Sequence, residues 1–319
     1  MAKYLITGIA GFIGSALARA VLAQGDEVRG IDNFSTGKQE NIAEICGRLD
    51  FREADLLDNA TLRDACRGMD YVLHQAAIPS VPRSVRDPGE SNRVNVEGTL
   101  NLLLAARDAQ VKRVVYAGSS SVYGDSLVMP KREDMPPDPI SPYAVAKLAG
   151  ENYMKSFYRC YGLETVSLRY FNIFGPRQDS NSPYSGVLAK FITQMLNDDE
   201  PAIHGDGEQS RDFTYVENAV TANLLACKAP AAKAAGKVFN VATGKKTSLN
   251  EMFQVLKKLT GYDRGVKYGP KREGDVRHSI ADIALAETWL EYTPAVSLEE
   301  GLRRTVEWYA QKENLPVAR

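Results

Sequence analysis

Cysteine, histidine and tryptophan are scarce in this chain, and it has neither long apolar runs nor a surplus of charge. Its 319 residues hold 4 cysteines, 3 histidines and 2 tryptophans, with a formal net charge of -1. Cys46, Cys66, Cys160 and Cys227 are scattered without any Cys-x-x-Cys. That leaves no disulfide framework and suits buried thiols in a reducing compartment. His74, His204 and His278 lack the spacing of metal ligands, so no dedicated metal site is expected. With no Lys/Arg excess or run there is no electrostatic footprint for nucleic acid or an anionic membrane. No stretch is long and apolar enough for a membrane span, and Lys3-Tyr4-Leu5-Ile6 reads as a strand where an export signal would stand. The composition, 44% hydrophobic and 25% charged, is that of a cytoplasmic globular protein with one large or two modest domains.

What is present begins with an ordered N-terminal unit. A short apolar run at 3–7 leads into Gly8-Ile9-Ala10-Gly11-Phe12-Ile13-Gly14, then a helical pattern at 15–22 closed by Gly25. Glu27-Val28-Arg29-Gly30-Ile31-Asp32 reads as the second strand. Strand, glycine turn, helix, strand, acid is the order that dinucleotide binding requires. Glycines let the backbone approach the pyrophosphate, and the helix N-terminus supplies N–H groups and a positive dipole end. The spacing is G-x-x-G-x-x-G, with Phe12 and Ile13 inside the turn. Asp32, followed by Asn33, can accept bonds from the adenosine ribose hydroxyls and repel a 2′-phosphate, which favours NAD over NADP.

The alternation continues. Leu49–Glu53 resembles a strand, and the Asp55-Leu56-Leu57-Asp58 loop can reach an adenine, although Asp58 also fits as the cap of a helix beginning at Ala60. Tyr71–His74 runs into Gln75, Ala76 and Ala77, small enough at the end for close approach to a cofactor, with His74 read as a packed strand-end residue. Asn95 opens a long apolar helix to Arg107 and is read first as a backbone-binding residue, second as a cofactor contact. Arg113–Gly118 is the next strand, ending in Ser119-Ser120-Ser121-Val122-Tyr123-Gly124. Ligands of open parallel sheets bind outside the C-terminal strand ends, so these hydroxyls are well placed, while a Ser-rich turn also satisfies its own backbone.

Glu164–Tyr170 makes a sixth strand, after which the pattern changes. Turn-rich sequence over 174–210 surrounds one helix, Val187–Leu196. Arg211–Val216 reads as a strand, 217–228 as a helix, Lys237–Val241 as a strand, and 248–260 and 298–312 as amphipathic helices. The expected fold is α/β, a Rossmann-type doubly wound parallel sheet with a smaller, discontinuous α+β substrate-binding domain. The expected division assigns 1–173 and 212–244 to the NAD unit and 174–211 and 245–319 to the second.

Tyr143 and Lys147 lie four apart after Pro142, so in a helix starting there their side chains converge. A phenol with a pKa of about 10 is a poor base at neutral pH. A neighbouring ammonium and a positively charged nicotinamide both favour the phenolate, giving one proton acceptor that works near neutrality.

With Gly8, Gly11, Gly14, Asp32, Ser119–Ser121, Tyr143 and Lys147 in register, the chain resembles the extended short-chain dehydrogenase/reductase superfamily over nearly its whole length. Within it the chain is most similar to the UDP-sugar 4-epimerases. The more specific motifs are Arg169-Tyr170-Phe171-Asn172-Ile173-Phe174-Gly175-Pro176-Arg177-Gln178, Gly205–Phe213, and Arg272-Glu273-Gly274-Asp275. The resemblance implies NAD as cofactor, with Asn172, Arg211 and Arg272 on the sugar and diphosphate. It implies Ser185-Gly186-Val187-Leu188 against uracil through the backbone, and Asp275 on a ribose hydroxyl. It implies C4 epimerisation of a UDP-hexose: Tyr143 removes the C4 hydroxyl proton, Lys147 lowers the phenol pKa and bonds the nicotinamide ribose, and Ser119, helped by Ser121, positions the hydroxyl. The similar 4,6-dehydratases carry an acidic pair where Ser119, Ser120 and Ser121 stand, so dehydration lacks its acid here.

By the resemblance, the position that gates the sugar pocket in similar epimerases falls at Ser279, small enough to leave room for a 2-acetamido group, and Ser80-Val81-Pro82-Arg83-Ser84 resembles epimerases of N-acetylated sugars. Both UDP-Glc/UDP-Gal and UDP-GlcNAc/UDP-GalNAc are therefore expected. Arg83 could instead meet a C6 carboxylate, which keeps UDP-glucuronate 4-epimerase open, as UDP-uronate decarboxylase also is. A catalytically silent NAD-binding regulatory protein is the non-enzymatic alternative, against which the intact Tyr143/Lys147 pair argues. A homodimer through helices 95–107 and 147–160 is expected by the same resemblance, though these could equally be buried within one chain.

Overall fold

The strands β1 (Lys3–Thr7), β2 (Glu27–Asp32), β3 (Asp50–Glu53), β4 (Tyr71–His74), β5 (Arg113–Ser119) and β6 (Glu164–Tyr170) join Lys237–Val241 in one seven-stranded sheet. This is seen in a computed structural model that describes residues 1–180, 187–271 and 277–315. From one edge the order is Lys237–Val241, β6, β5, β4, β1, β2, β3, and every pairing is parallel. Parallel crossovers place helices on both faces, so inner strands are apolar on both sides: Tyr4, Leu5, Ile6, Val114, Val115 and Tyr116 are all buried.

The crossover helices are α1 (Phe12–Ala23), α2 (Asn59–Cys66), α3 (Val81–Arg86), α4 (Pro88–Asn92), α5 (Gly98–Asp108) and α6 (Pro142–Tyr161). α1 and Val216–Lys228 pack on one face, and α2, α5 and α6 on the other. The chain leaves β1 toward β2 and later returns to β4 on its other side. That reversal opens a crevice beyond the C-terminal ends of β1 and β4, the place where sheets of this kind take ligands.

Asp58 caps α2, accepting from Ala60 N at 3.0 Å and Thr61 N at 3.2 Å. A π-helical turn, Arg93–Glu97, precedes α5. The strand expected over Arg211–Val216 is two short ladders instead. Ser210–Arg211 pairs antiparallel with Thr247–Ser248, and Thr214–Tyr215 pairs parallel with Ile173–Phe174. Between them the buried Asp212 carboxylate accepts from Thr243 N (2.9 Å), Thr243 Oγ1 (2.7 Å) and Gly244 N (3.0 Å), and these charge-assisted bonds outweigh continuation of the ladder. The expectation of buried thiols holds for Cys66 and Cys227 only. Cys46, in a 3-10 turn, and Cys160, in the last turn of α6, are exposed.

A second core gathers Phe174, Leu188, Phe191, Ile192, Phe213, Met252, Phe253, Leu302 and Val306 beside the sheet. Ala286, Leu290 and Tyr292 pack on the core of the sheet itself. Among the described residues no helix is long and apolar enough to cross a membrane, and no three metal-ligating side chains cluster.

Candidate active site

A cavity of about 370 Å³ occupies the crevice at the switch between β1 and β4. Its floor is the glycine turn. Gly8 follows β1 at φ +68°, where a Cβ would stand 2.8 Å from the Ala76 backbone, and a Cβ on Gly14 would overlap the Gly8 carbonyl. Gly11, Phe12, Ile13 and Gly14 line the cavity, and no side chain caps α1 at Gly11. The first-turn N–H groups therefore keep their capacity for an anionic ligand.

At the end of β2, Asp32 accepts from Ala10 N (2.9 Å) and Phe34 N (2.8 Å). Burial pushes its carboxyl above the usual range, and these N–H bonds oppose that rise. Asn33 Nδ2 donates to Asp55 Oδ2 at 2.7 Å, and Asn33, Asp55 and Leu56 form the adjoining wall. Gln75, Ala76 and Ala77 close the β4 side, with the Gln75 amide held between Asn223 and the Tyr170 hydroxyl at 3.2 Å each. A glycine cradle, an uncapped helix start and a carboxylate at the next strand end fit a dinucleotide in size and in donor chemistry.

His74 and Asn95 have structural roles. The His74 ring lies between Thr7 Oγ1 (2.8 Å) and Thr99 Oγ1 (3.0 Å). Burial first, then the Lys147 charge, pushes its pKa down to about 3, so it is neutral at physiological pH. Asn95 accepts from Ile78 N at 2.8 Å and donates to Ile78 O at 3.2 Å, and it does not line the cavity.

The start of α6 is fixed from two directions. Ser141 caps it by accepting from Ala144 N at 3.2 Å, and Tyr143 N donates to Ser84 Oγ at 3.0 Å. Ser84 in turn donates to Val81 O at 2.7 Å, which hooks α3 onto the first turn of α6. Lys147 is 4% exposed, its Nζ donates to Ala117 O at 2.7 Å, and it sits 6.0 Å from the Tyr143 ring centroid. Ser119 stands beside the Tyr143 phenol and acts to lower its pKa. It also accepts from Ser121 N at 3.2 Å and from Ser121 Oγ at 2.8 Å, which leaves its own proton for the phenol. Ser120 opens the following 3-10 turn, and none of Ser119, Ser120 and Ser121 lines the cavity, whose wall here ends at Gly118.

The expected lowering of the Tyr143 pKa by Lys147 is not what the protein alone produces. Burial raises the phenol pKa, the nearby Ser119 hydroxyl opposes the rise, and burial also pushes Lys147 down to about 7. Two enclosed groups each favour their neutral form, so the phenolate needs further positive charge beside it.

The substrate candidates divide. Ser80 and Arg83 line the cavity, but Ser80 caps α3, accepting from Arg83 N at 3.0 Å. Arg83 makes a two-point bond to Glu90 at 2.7 and 2.5 Å, so the guanidinium that the alternative reading sets against a sugar carboxylate already has a carboxylate. Asn172 is exposed at φ +39° and donates to Asp212 O at 3.2 Å. Arg211 donates to Ser210 O at 3.0 Å, and Ser279 N donates to Ser210 O at 3.0 Å, which puts the proposed gate beside Arg211. Val187 packs on the second core at the start of its helix. Ser185, Gly186, Arg272 and Asp275 lie outside the described residues.

Sequence reasoning missed the far wall. Lys38 and Asp179 bridge the cavity mouth by an ion pair at 2.9 Å, and Arg177 and Gln178 line it beside them. Arg177 and Gln178 stood inside a motif already singled out, whereas nothing local marked Lys38 or Asp179. Ser84 also stood inside a motif already singled out, though nothing local marked its bond to the Tyr143 amide.

A doubly wound sheet with this cleft and a Ser–Tyr–Lys set at its rim defines a nucleotide-dependent enzyme of the short-chain dehydrogenase/reductase type. Residues 4–242 match the model of the NAD dependent epimerase/dehydratase family, and the chain belongs to that family. It is 39% identical to a UDP-glucose 4-epimerase of Mycolicibacterium smegmatis, covering 97% of this chain and 99% of the relative. Among solved structures it is similar to a UDP-N-acetylglucosamine 4-epimerase of Methanobrevibacter ruminantium, in complex with UDP-N-acetylmuramic acid (TM-score 0.93, 42% identity, 98% and 99% covered). It is similar also to a Thermotoga maritima UDP-glucose 4-epimerase with UDP-glucose (TM-score 0.92, 40% identity, 98% and 99% covered). Fold class, NAD dependence and enzyme class follow from that membership.

Proposed function

We propose that the protein interconverts C4 epimers of a UDP-hexose, UDP-Glc/UDP-Gal and UDP-GlcNAc/UDP-GalNAc, through a transient 4-keto sugar. The observation that carries this reading is the Tyr143 phenol lining the cleft beside Ser119, with Lys147 buried 6.0 Å from its ring. Gly8, Gly11, Phe12, Ile13, Gly14, Asp32, Asn33, Asp55, Leu56 and Gln75–Ala77 would hold NAD. When bound, NAD supplies a hydride acceptor and donor and a positive charge that brings the phenolate within reach of neutral pH. Tyr143, at the positive end of the α6 dipole, takes the proton of the C4 hydroxyl and, once the keto sugar has presented its other face for reduction at C4, returns that proton to the C4 oxygen. Ser119 fixes the phenol, and Ser121 fixes Ser119. Lys147 holds Ala117 O and stabilises the phenolate.

Segments 174–211 and 245–319 form the UDP-sugar-binding unit in this reading, with Asn172, Arg211, Arg272 and Asp275 on the UDP and Ser279 beside the sugar. Affinity resides in the UDP, so the keto sugar stays free to turn over. No carboxylate stands among Ser119–Ser121 to serve dehydration. Arg83, committed to Glu90, gives a uronate no free partner at that position. Two chains pair through the faces of α5 and α6 that leave Tyr158 and Tyr161 exposed.

The test is product analysis with UDP-Glc, UDP-GlcNAc and UDP-GlcA side by side, for the wild type and Tyr143→Phe. Epimers of the first two and a loss of about 100-fold or more in the variant are expected. Full activity in the variant, or turnover of UDP-GlcA alone, overturns the reading.

A further inference from the structure

Glu151 and Arg169 form an ion pair inside the protein, 1% and 3% exposed. The guanidinium makes a fork: Nε donates to Glu151 Oε2 at 2.9 Å and Nη2 to Oε1 at 2.7 Å. Burying two charges costs several kcal/mol each and is repaid only by close geometry, so such a pair contributes little net stability and defines position well. What it positions follows from where its members sit. Tyr143, Lys147 and Glu151 are spaced by four along α6, on one face of the helix. Arg169 is on β6, in register with Gly118 of β5, one residue before Ser119. The same guanidinium lies over the Tyr123 ring at 4.6 Å, just past the Ser119–Ser121 turn. Tyr123 is itself anchored by donating to Asn240 Oδ1 at 2.7 Å.

One side chain therefore touches both bodies that must meet at the phenol, the helix carrying Tyr143 and Lys147 and the turn carrying Ser119 and Ser121. We propose that Glu151 and Arg169 are positioning residues of the active site. Their fork sets the rotation and height of α6 against β5 and β6, so that the phenol oxygen meets Ser119 while Lys147 reaches Ala117. The proposal rests on the reading of Tyr143 as the acid–base group. Neither residue lines the cleft, so their effect passes wholly through that alignment.

The test replaces both members by apolar residues of similar volume, Glu151→Met with Arg169→Leu. Such exchanges keep or raise stability, so the doubly substituted chain is expected to melt at or above the wild-type temperature and to bind NAD and UDP normally. Its kcat is expected to fall about 100-fold, as a misplacement of about 1 Å does, with KM for the UDP-sugar unchanged. The rise of kcat with pH should also move alkaline, because Ser119, which lowers the phenol pKa, is drawn away from it. Wild-type kcat and pH profile in a folded double variant overturn the proposal. If that chain does not fold, Arg169→Lys keeps the charge and loses the fork; here a lowered kcat with an alkaline shift supports the proposal, and an unchanged profile overturns it. Tyr143→Phe separates the two levels. An inactive Tyr143→Phe beside a fully active double variant refutes positioning alone, whereas an active Tyr143→Phe refutes the acid–base centre.

Discussion

Replacing Lys147 by methionine in the nucleotide-free protein removes a buried ammonium whose pKa burial has pushed from 10.5 down to about 7. At about 1.4 kcal/mol per pH unit, that displacement corresponds to an upper bound of about 5 kcal/mol against the folded state. The lost bond from Nζ to Ala117 O takes back about 1 kcal/mol. The sign follows from proton uptake. Between about pH 7 and pH 10.5 the unfolded chain carries a proton on this amine that the folded chain does not, so wild-type stability rises with pH across that window. The penalty is fully present below about pH 7 and fades toward pH 10.5. Lys147→Met should thus be about 2–4 kcal/mol more stable than the wild type at neutral pH and below, and the gap should close as pH approaches the upper limit. Denaturant titrations of both proteins without nucleotide, repeated across that range, read this directly. Turnover should be lost in the same variant. A less stable Lys147→Met at neutral pH, or a gap independent of pH, would show that the ammonium is neither desolvated nor costly.

Asp32→Asn keeps acceptance at one oxygen and removes the charge, so NAD affinity should fall by about 10-fold while discrimination against NADP narrows more; an unchanged NAD/NADP ratio in binding titrations would remove Asp32 from cofactor selection. Asp179→Asn breaks a half-exposed ion pair worth about 0.2–1 kcal/mol, which should speed cofactor release by a factor of about 1.5–5, less at high salt; a release rate equal to wild type at low salt counts against the bridge as a closure. Ser279→Tyr should depress epimerisation of UDP-GlcNAc and spare UDP-Glc, and equal loss on both substrates removes the gate.

The sheet was legible because each strand and its crossover announce themselves within about thirty residues: an apolar run, a glycine or polar stop, a helical period. Tyr143, Lys147, the glycine turn and Asp32 were legible for the same reason, being defined by local spacing. What stayed hidden depends on long-range register. Lys38 meets Asp179 across 141 residues, and the hook from Tyr143 to Ser84 spans 59. Arg83 was read toward a ligand although its partner, Glu90, stands seven residues on, because a helix break between them decides whether they meet. Arg211–Val216 looked like one strand since the acceptors that turn Asp212 aside arrive from 243 and 244. In the protein alone the Tyr143 pKa rises although Lys147 stands four residues on, because spacing reports proximity to a charge and says nothing of how dry the site is.

The hook between Ser84 and the Tyr143 amide joins recognition to chemistry mechanically. α3, which brings Ser80 and Arg83 to the cavity, also seats the first turn of the helix that presents the phenol. Reshaping the pocket through residues 80–86 therefore moves the start of α6 as well, and in the proposed function altered selectivity won there arrives with altered rate. Residue 279 sits on a different segment, tied to Ser210 and not to α6. Under the proposed gate, selectivity is retuned from that side with α6 left at rest.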